Sequence, residues 1–596
     1  MEANATTIVT HAISLRVRGL DIQHRTTAIR LPLARQFATD YAYGMNIKDD
    51  LSRLISGELE DAPATLETYS HDASLFEVKP QLVVYPKDSA DVRALVKYAK
   101  EHKTKLANLS LTARSAGTDM SGGAVNDSII ADFNRHFTAI TEITPTEGHA
   151  QPGVFYRDFE KATFEHGALM PSYPASRDLC TIGGMVNNNS GGEKSLEFGK
   201  TENFVKQLKV VLADGNEYTI GPLTRAQLDV KMQLSTFEGE IYRKTFALVD
   251  KHYDAIKAAK PHVTKNSTGY NLWDVWDRDT GIFDLTKLIV GAQGTLGFTT
   301  DIKFRLVPHR PHSGVLVVFL RDIDRLGELI NVVMKHHPAT FESFDDVTLM
   351  LSIKFMPYFL QMLGLKKFIH LIIGLIPEGF LLLRGIPKLI LMIEFNGETA
   401  DEVREKVKAL DKELFTKRAV YEIEGTEEDP TESQAEKFWV MRRQSFQILR
   451  KKVKDKHTAP FIDDLVVNPE YLPEFLPQMR KIIKKYHLFA TIAGHMGDGN
   501  FHIIPLMKIE DPKELAKLRP AMTETNELVL KYHGVLSGEH NDGMIRGPWL
   551  QRSYGDEVYG YFKEVKNIFD PQGIFNPHKK ADADWEWTMS HIRQSF

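Results

Sequence analysis

The segment Arg114-Ser-Ala-Gly-Thr-Asp-Met-Ser-Gly-Gly123 combines three glycines with the hydroxyl groups of Ser115, Thr118 and Ser121. Glycines let backbone N–H groups approach a phosphate closely, and the hydroxyl groups add further hydrogen-bond donors. The segment therefore predicts a loop that binds a pyrophosphate. Glycine and serine also fill ordinary turns, so the spacing alone leaves a turn without a ligand as an equal alternative.

Two further glycine-rich segments follow along the chain. Residues 181–192, TIGGMVNNNSGG, place several amide and hydroxyl donors beside four glycines. Residues 291–297, GAQGTLG, come directly after the apolar run KLIV. Glycines after a strand allow a ligand or another backbone segment to come near, although a tight turn between strands explains this third segment equally well. Two such loops in one chain strengthen the interpretation as a phosphate site.

The pattern around the loops predicts an α+β fold in more than one domain. From about residue 80 to 220, short β-branched runs alternate with amphipathic helical runs such as DSADVRALVKYAKEHK. The proline-containing stretch LVPHRPHSG near residue 310 indicates a domain boundary, after which strands such as GVLVVFL alternate with further helices. The segment IFDPQGIFNPHKK has too little apolar periodicity to fold alone. We therefore expect it to pack on an earlier domain.

Composition excludes several classes of protein. A chain of 596 residues with 42% hydrophobic residues can build two or three cores. The net charge of -5, from 74 basic and 79 acidic residues, argues against nucleic-acid binding. The single cysteine, Cys180, excludes a disulfide framework and a self-contained four-thiolate iron–sulfur cluster. The N-terminus lacks the pattern of a secretory signal, so we expect a cytoplasmic location.

A second motif, Gly494-His495-Met-Gly-Asp-Gly-Asn-Phe-His502, consists of a turn between two apolar runs. This arrangement predicts a β-hairpin that brings His495 and His502 to one side. Downstream, Glu539 of the segment SGEH supplies a carboxylate, and two histidines with one carboxylate form a metal site with open coordination positions. For any single one of the 22 histidines, a core or surface position without a metal is the ordinary expectation.

The motifs together resemble a known family of flavoproteins. The segments PQLVVYPKDSADV, RSAGTDMSGG, TIGGMVNNNSGG and VGAQGTLGF resemble, in this order, the FAD-binding domain of the vanillyl-alcohol oxidase family. GHMGDGNFH, SGEH and FDPQGIFNPHK are similar to C-terminal signatures of its D-lactate, glycolate and D-2-hydroxyglutarate dehydrogenase branch. The implied fold is α+β, with a two-subdomain FAD-binding domain, an α+β substrate (cap) domain and a C-terminal tail that returns to the FAD domain. The predicted ranges are an N-terminal extension (1–44), the FAD-binding domain (45–310), the cap domain (311–560) and the C-terminal segment (561–596).

The resemblance implies a set of FAD-binding residues in the three loops and the tail. They are Arg114, Ser115, Ala116, Gly117, Thr118, Met120, Ser121, Gly122, Thr181, Gly183, Gly184, Asn187, Asn188, Ser190, Gly191, Gly192, Gly294, Gly297 and Asn576. Covalent members of the family attach the flavin to a histidine of the first loop. Because this chain has Thr118 at that place, we expect non-covalent FAD.

The resemblance also implies the residues that carry the chemistry. In the branch, the equivalents of His495, His502 and Glu539 bind zinc or manganese, and the histidine after the glutamate acts as a base, a role that falls here to His540. A divalent ion that binds the carboxylate and hydroxyl of a 2-hydroxy acid lowers the pKa of that hydroxyl. Asn500, in the same turn, is predicted to orient the substrate carboxylate.

A cation for that carboxylate is also expected, because a guanidinium binds it in a bidentate manner. The run WVMR resembles the family's Trp-x-x-Arg helix start, so Arg442 is the candidate. The alternative is a surface arginine, since the run KFWVMRRQSFQILRKKVK is rich in basic residues.

The implied function is oxidation of a small D-2-hydroxy acid, with hydride transfer to the flavin and electrons passed to a quinone, a cytochrome or a separate iron–sulfur subunit. The 2-hydroxyglutarate enzymes carry a lysine shortly before the motif that matches DDLVVNP, whereas this chain reads APFIDD. D-lactate is therefore the expected substrate. Two alternatives stay open: an enzyme like the alkylglycerone-phosphate synthases, although their run of consecutive histidines is missing here, and a non-catalytic flavin-binding subunit, which predicts loss of the metal ligands.

Residues 355–387 form an unusually apolar insertion. Charged residues and prolines interrupt it, and no apolar run reaches the roughly 18 residues of a membrane-spanning helix. One interpretation is a pair of interfacial helices on the cytoplasmic face of the inner membrane, with Lys366, Lys367 and Arg384 among the headgroups. The other interpretation is a buried helical hairpin or a dimer contact.

Overall fold

A computed structural model describes residues 46–354, 385–429, 438–439, 442 and 456–594. The short helix α1 (Ile47–Leu51) belongs to a separate unit that ends at Arg53, and the larger unit begins at Leu54. The predicted N-terminal extension and nearly all of the apolar insertion, residues 355–384, lie outside the described residues.

The first region of the larger unit, from Leu54 to Pro308, mixes short strands with helices of varied length. Its strands are β1 (Glu58–Glu60), β2 (Leu82–Tyr85), β3 (Leu111–Arg114), β4 (Ile129–Asp132), β5 (Ile140–Ile143), β6 (Glu147–Ala150), β7 (Ala168–Leu169), β8 (Val205–Val211), β9 (Glu217–Ile220), β10 (Pro222–Thr224), β11 (Trp276–Asp277), β12 (Ile282–Asp284), β13 (Phe298–Arg305) and β14 (Val307–Pro308). Its helices are α2 (Pro63–Tyr69), α3 (Ser89–His102), α4 (Tyr156–Phe164), α5 (Ile182–Asn188), α6 (Ser195–Phe198), α7 (Arg225–Met232), α8 (Phe237–Lys251), α9 (Tyr253–Ala258) and α10 (Thr286–Ile289).

Two sheets organise this region into two subdomains. One has the strand order β1-β2-β4-β3, in which β4 pairs in parallel with both of its neighbours. The other has the order β5-β6-β13-β8-β9 and is antiparallel throughout. The first glycine-rich segment leaves β3, the second contains the whole of α5 and the turn after it, and the third precedes β13. The three loops therefore start from elements of both subdomains, as the α+β prediction required.

The second region contains one large antiparallel sheet and the helices that cover it. Its strands are β15 (His312–Leu320), β16 (Thr340–Asp345), β17 (Leu389–Gly397), β18 (Ile423–Asp429), β19 (His457–Thr458), β20 (Leu465–Val466), β21 (Phe489–His495) and β22 (Asn500–Met507). Its helices are α11 (Leu326–Met334), α12 (Asp346–Lys354), α13 (Ala400–Thr416), α14 (Leu472–Lys485), α15 (Pro512–Leu515), α16 (Leu518–Lys531) and α17 (Gly543–Arg546).

The large sheet has the strand order β18-β15-β17-β16-β21-β22-β19, with β20 paired to β22. Successive side chains of a strand point to opposite faces, so each strand contributes to two different environments. Leu316 and Val318 pack into the core beneath the helices. Val315 and Val317 lie on the opposite face, in a cluster that includes Trp439. This confirms the predicted sheet covered by helices.

The C-terminal residues return to the first region. Helix α18 (Leu550–Phe569) places Phe562 in the core of that region, and a short helix, α19 (Trp585–Ser590), follows. The backbone of Leu111 in β3 donates to Ile574 O (2.7 Å) and accepts from Asn576 N (2.8 Å). The prediction that the tail packs on the FAD-binding domain is confirmed, and this packing already begins within α18.

None of the helices in the described part of the chain has both the length and the apolar character needed to cross a membrane.

The tail depends on the buried carboxylate of Asp570, and this dependence can be tested. Asp570 accepts hydrogen bonds from the N–H groups of Ile574 (2.9 Å) and Phe575 (2.8 Å) and pairs with Lys566 Nζ (2.6 Å). Asp570→Ala leaves a buried ammonium without its partner, so we expect a loss of about 3 to 5 kcal/mol in the free energy of unfolding, measured by urea denaturation. Asp556→Ala, at an exposed position of the same helix, is the control. An equal loss in both variants would contradict the prediction.

Candidate functional site

A cavity of about 740 Å³ lies between the glycine-rich loops and the large sheet. Its volume is within the range of small-molecule and cofactor sites. Most of the predicted FAD-binding residues line it, namely Arg114, Ser115, Ala116, Gly117, Thr118, Met120, Gly183, Gly184, Asn187, Asn188, Ser190 and Gly294.

The remaining predicted FAD-binding residues lie behind this lining. They are Ser121, Gly122, Thr181, Gly191, Gly192, Gly297 and Asn576. Asn576 donates to Gly123 O (2.8 Å) and Gln293 O (2.6 Å) and accepts from Thr112 Oγ1 (2.8 Å). The structure therefore places Asn576 as a tie between the first and third loops. Its direct contact with FAD stays a prediction.

Two side chains that the sequence analysis did not select hold the loops together. The Asp119 carboxylate accepts from Gly123 N (2.6 Å) and from Asn188 Nδ2 (3.0 Å), which joins the first loop to the second. Gln293 Nε2 donates to Ser121 Oγ (2.9 Å), which joins the third loop to the first. Both residues stand inside the glycine-rich segments, so their polarity was a signal that could have identified them.

The cavity suits an extended cofactor with polar groups. A Cβ atom on Gly184 would lie 2.6 Å from Ser115 Oγ, so glycine permits the close approach of the two loops. The hydroxyl of Thr299 is buried on the cavity wall, and it has no hydrogen-bond partner among the described residues. Glycine-rich backbone and an unsatisfied hydroxyl are what a bound dinucleotide would cover. The residues present fit FAD.

The other end of the cavity is formed by the hairpin β21–β22. Its strands pair Ala493 with His502 and His495 with Asn500, and a turn of 3-10 helix followed by Gly499 in the left-handed conformation (φ 64°) connects them. The predicted hairpin is confirmed. It brings His495 and His502 together, with ring centroids 5.3 Å apart.

His495, His502 and Glu539 converge as the sequence predicted. One ligand atom from each lies within 4.8 Å of those of the other two. His495 Nδ1 is held by Glu342, and His502 Nδ1 lies 3.1 Å from Asp463 Oδ1. Carboxylates on Nδ1 leave Nε2 of each imidazole for a metal and fix the ring orientation. The three residues therefore fit a divalent metal ion with open positions for a substrate.

Lys265 adds a buried positive charge to this cluster. Its Nζ lies 2.6 Å from Glu539 Oε1 and 3.0 Å from Asp498 Oδ2, and its side chain has 0% exposure. Burial alone raises the pKa of Glu539, but His495 and Lys265 outweigh burial and hold it well below its usual range. Glu539 is therefore ionised, as a metal ligand must be.

His540 lies on the cavity wall beside the metal ligands. Its ring stacks on that of His502 (centroids 5.0 Å apart), and its Nδ1 lies 2.7 Å from Asp463 Oδ2. Burial by itself lowers the pKa of His540, but the charges of Asp464 and Asp463 outweigh burial and raise it to about 9. Asp463 thus orients both imidazoles, and Nε2 of His540 is the nitrogen left for a substrate.

Asp464 fixes the segment that carries Glu539 and His540. Its carboxylate accepts from the backbone N–H of Glu539 (2.9 Å) and of His540 (2.7 Å) and from Ser537 Oγ (2.6 Å). It also accepts from Asn500 Nδ2 (3.1 Å). Asp464 therefore links the hairpin turn to the SGEH segment.

The two remaining predicted residues take different positions. Arg442 lines the cavity, and its Nη2 lies 3.2 Å from Glu342 Oε2. Asn500 has 0% exposure and lies outside the described cavity wall, where it donates to Asp464 and to Leu465 O. The position of Arg442 suits a carboxylate ligand. In the structure Asn500 contacts Asp464 and the backbone of Leu465, and its contact with the substrate stays a prediction.

The sequence analysis did not select Lys265, Glu342, Asp463 and Asp464 as functional residues. Asp463-Asp464 stand as two acids between apolar runs, which was a signal, whereas Glu342 lies in the mixed run TFESFD, where only the structure shows that it is buried. Lys265 stands in a polar loop among other polar residues, where no pattern distinguishes it. Only the fold brings it to Glu539, a residue 274 positions away.

Comparison with known proteins agrees with the fold and the cavity. Residues 80–221 match the FAD binding domain, and residues 310–580 match the C-terminal domain of FAD linked oxidases. The chain therefore belongs to the FAD-binding oxidoreductases of the FAD-linked oxidase type, which confirms the family predicted from its motifs.

Among its relatives, the chain is 27% identical to D-2-hydroxyglutarate dehydrogenase of Pseudomonas putida over 88% of this chain and 50% of that protein. The chain thus spans about half the length of that relative. It is also 26% identical to glycolate oxidase subunit GlcD of Bacillus subtilis, over 90% of this chain and 97% of that protein.

Solved structures share the fold. The 4-ethylphenol oxidase from Gulosibacter chungangensis superposes with a TM-score of 0.63 over 92% of this chain and 97% of that chain, at 14% identity. An alkyldihydroxyacetonephosphate synthase superposes with a TM-score of 0.58 over 94% of this chain and 87% of that chain, also at 14% identity.

The mode of flavin attachment is testable. Thr118 lines the cavity, at the place where the resemblance predicts a histidine in proteins with covalent flavin, and a threonine hydroxyl is a poor nucleophile without an activating base. Acid precipitation of the purified yellow protein should therefore release the flavin into the supernatant, measured by its absorbance. Flavin that stays in the pellet would show a covalent link elsewhere in the chain.

Proposed function

We propose that the protein is an FAD- and divalent-metal-dependent dehydrogenase that oxidises a D-2-hydroxy acid to the 2-oxo acid, with D-lactate as its substrate and electrons passed to an external acceptor. The observation that supports this most directly is the convergence of a metal-ligand set, a histidine base and three FAD-binding loops on one cavity. Relatives that are named for D-2-hydroxyglutarate and glycolate support the substrate class.

In this proposal His495, His502 and Glu539 would hold the metal, either zinc or manganese, and the ion would supply Lewis-acid chemistry that lowers the pKa of the substrate hydroxyl. Bound FAD supplies the hydride acceptor at flavin N5. His540 removes the hydroxyl proton through Nε2, while Asp463 holds Nδ1 and stabilises the protonated ring that results. A cation held by His502 would lower the pKa of the stacked His540 and so would favour its role as a base.

Arg442 is the proposed partner of the substrate carboxylate. Its guanidinium lines the cavity and is oriented by Glu342, the carboxylate that also holds His495. A planar guanidinium binds a carboxylate through two parallel hydrogen bonds. Glu342 therefore orients both the guanidinium of Arg442, proposed to bind the substrate carboxylate, and the imidazole of His495, a proposed metal ligand.

The two alternatives receive less support. The likeness to an alkyldihydroxyacetonephosphate synthase, at 14% identity, concerns the fold alone. A flavin-binding subunit without catalysis has no need of a buried ligand set together with a carboxylate-oriented histidine.

The class of electron acceptor is proposed from the cysteine content of the chain. With Cys180 as its single cysteine, the chain cannot hold a four-thiolate cluster of its own, so a quinone, a cytochrome or a separate iron–sulfur subunit is proposed to accept the electrons. Peripheral membrane binding through residues 355–387 also stays a proposal, because residues 355–384 lie outside the described part.

The substrate class is tested by anaerobic reduction of the flavin. Addition of D-lactate should bleach the flavin absorbance, and L-lactate should not, because the fixed metal and base can present the C2 hydrogen of only one enantiomer to the flavin. Glycolate and D-2-hydroxyglutarate complete the panel. If no 2-hydroxy acid reduces the flavin, the proposed activity is wrong.

Metal dependence is tested by replacing the ligands. His495→Ala and His502→Ala should each lower the bound metal, measured by elemental analysis, and slow flavin reduction by about 100-fold or more, since a catalytic ion stabilises developing charge by several kcal/mol. FAD content should stay unchanged, because neither histidine is a predicted FAD-binding residue.

The matched control is His336→Ala, at a partly buried histidine that pairs with Glu413 in the second region. Full metal content and full activity in the His495 and His502 variants would contradict the metal proposal.

A further inference from the structure

One face of the hairpin β21–β22 continues the cavity beyond the metal ligands. Along β21, Thr491, Ala493 and His495 alternate with residues that point to the opposite face, and along β22 His502 and Ile504 do the same. Cross-strand pairing places Ala493 opposite His502 and Thr491 opposite Ile504. The hairpin thus presents successive rows to the cavity: Ala493 lies beside the predicted metal ligand His502, and the next row consists of Thr491 and Ile504.

The three residues are enclosed and mostly apolar. Ala493, Ile504 and Thr491 each line the cavity with 8%, 7% and 5% of their surface exposed. Ile503, which points the other way, has 0% exposure and packs in the core beneath the helices. The alternation shows that the cavity face of the hairpin is distinct from its core face. A substrate side chain that extends from the predicted metal ligands along this face contacts a methyl group, a branched hydrocarbon chain and one hydroxyl.

The distances match the side chain of a small 2-hydroxy acid. Two residues along an antiparallel strand span about 7 Å, which separates the row of Thr491 from that of Ala493 and His502. From the row of His502, three or four carbon–carbon bonds of about 1.5 Å extend a substrate side chain by at most about 6 Å, which brings its far end into contact distance of the row of Thr491.

Charge distinguishes the substrates that this face accepts. Within the described part of the cavity wall, the guanidinium groups belong to Arg442, oriented by Glu342, and to Arg114. Arg114, at the start of the first loop and on the FAD side of the cavity, donates to His71 O (2.8 Å). A carboxylate beside Thr491 and Ile504 would lose its hydration and contact a hydrocarbon wall with one hydroxyl, which is unfavourable.

We propose that Ala493, Ile504 and Thr491 form the subsite for the substrate side chain and select 2-hydroxy monocarboxylates with a short aliphatic side chain over 2-hydroxy dicarboxylates. This inference rests on the proposed function, because it assumes that the 2-hydroxy carboxylate end lies at the metal ligands. It makes Thr491 and Ile504 specificity-determining residues that take no part in the proton or hydride transfer.

The first test introduces a positive charge into the subsite. Kinetics of flavin reduction in the FAD-loaded protein are compared for D-lactate, D-2-hydroxybutyrate, D-2-hydroxyvalerate and D-2-hydroxyglutarate. The unaltered protein should prefer the three monocarboxylates. Thr491→Lys should raise kcat/KM for D-2-hydroxyglutarate relative to D-2-hydroxyvalerate by about tenfold or more, mainly through KM, because the new ammonium pairs with the distal carboxylate.

The matched control is Phe489→Lys, which adds the same charge to the same face of β21 at a position with 44% exposure outside the cavity wall. Its substrate preference should equal that of the unaltered protein. A similar change in both variants would show a general effect of charge and would overturn the subsite.

The second test changes the size of the subsite and does not depend on the first variant folding. Ile504→Ala removes part of the hydrocarbon wall, so kcat/KM for D-2-hydroxyhexanoate relative to D-lactate should rise severalfold, whereas Ile504→Val should keep most of the original preference. Unchanged relative rates in Ile504→Ala would overturn the proposal.

The outcomes separate the subsite from the proposed function. If none of the acids reduces the flavin of the unaltered protein, the proposed function fails and this inference with it. If the acids reduce the flavin but the variants do not change the preference, only the subsite is wrong. If the unaltered protein prefers D-2-hydroxyglutarate, the subsite and the choice of D-lactate are both wrong, and the 2-hydroxy-acid dehydrogenase activity still holds.

Discussion

The buried contact between Lys265 Nζ and Glu539 Oε1, at 2.6 Å, is the interaction on which the arrangement of the site depends. A charge with no access to water is tolerated only when it is paired and hydrogen-bonded, and removal of one partner of such a pair typically costs about 3 to 5 kcal/mol. Lys265 comes from the first region and Glu539 from a segment after the large sheet. The pairing requirement therefore holds the glycine-rich segments of the FAD-binding region and the predicted metal ligands in one geometry.

The same requirement extends from this pair in two directions. Through His495, Glu539 is connected to Glu342 and then to Arg442, the proposed partner of the substrate carboxylate. Gly192 O accepts from Lys265 Nζ (3.2 Å), so the second FAD-binding loop contacts the same cation. The second glycine-rich segment, a predicted metal ligand and the guanidinium proposed to bind the substrate carboxylate thus share one network. Binding at one of its parts is expected to affect the others.

Two adjacent aspartates orient different parts of the site, one through side chains and the other through the backbone. Asp463 contacts the side chains of His502 and His540, whereas Asp464 contacts the backbone that carries Glu539 and His540. Asp464 lies at a bend with a left-handed backbone conformation (φ 68°), and the two consecutive carboxylates at this bend serve two different targets. The hairpin β21–β22 also divides its side chains between two environments. One face is turned to the helices, and the other face is turned to the cavity.

The sequence by itself determined the α+β class, the glycine-rich segments and the hairpin, because those features depend on local spacing and residue type. The resemblance of its motifs to a flavoprotein family singled out His495, His502 and Glu539 as predicted metal ligands. The sequence also supported the return of the tail to the FAD-binding region. Only the tertiary structure decided that Asn576 ties loops behind the cavity, that Asn500 contacts Asp464, and that Lys265 faces Glu539. These contacts join residues far apart in the chain, and no periodicity or motif encodes which distant polar groups burial will force into contact.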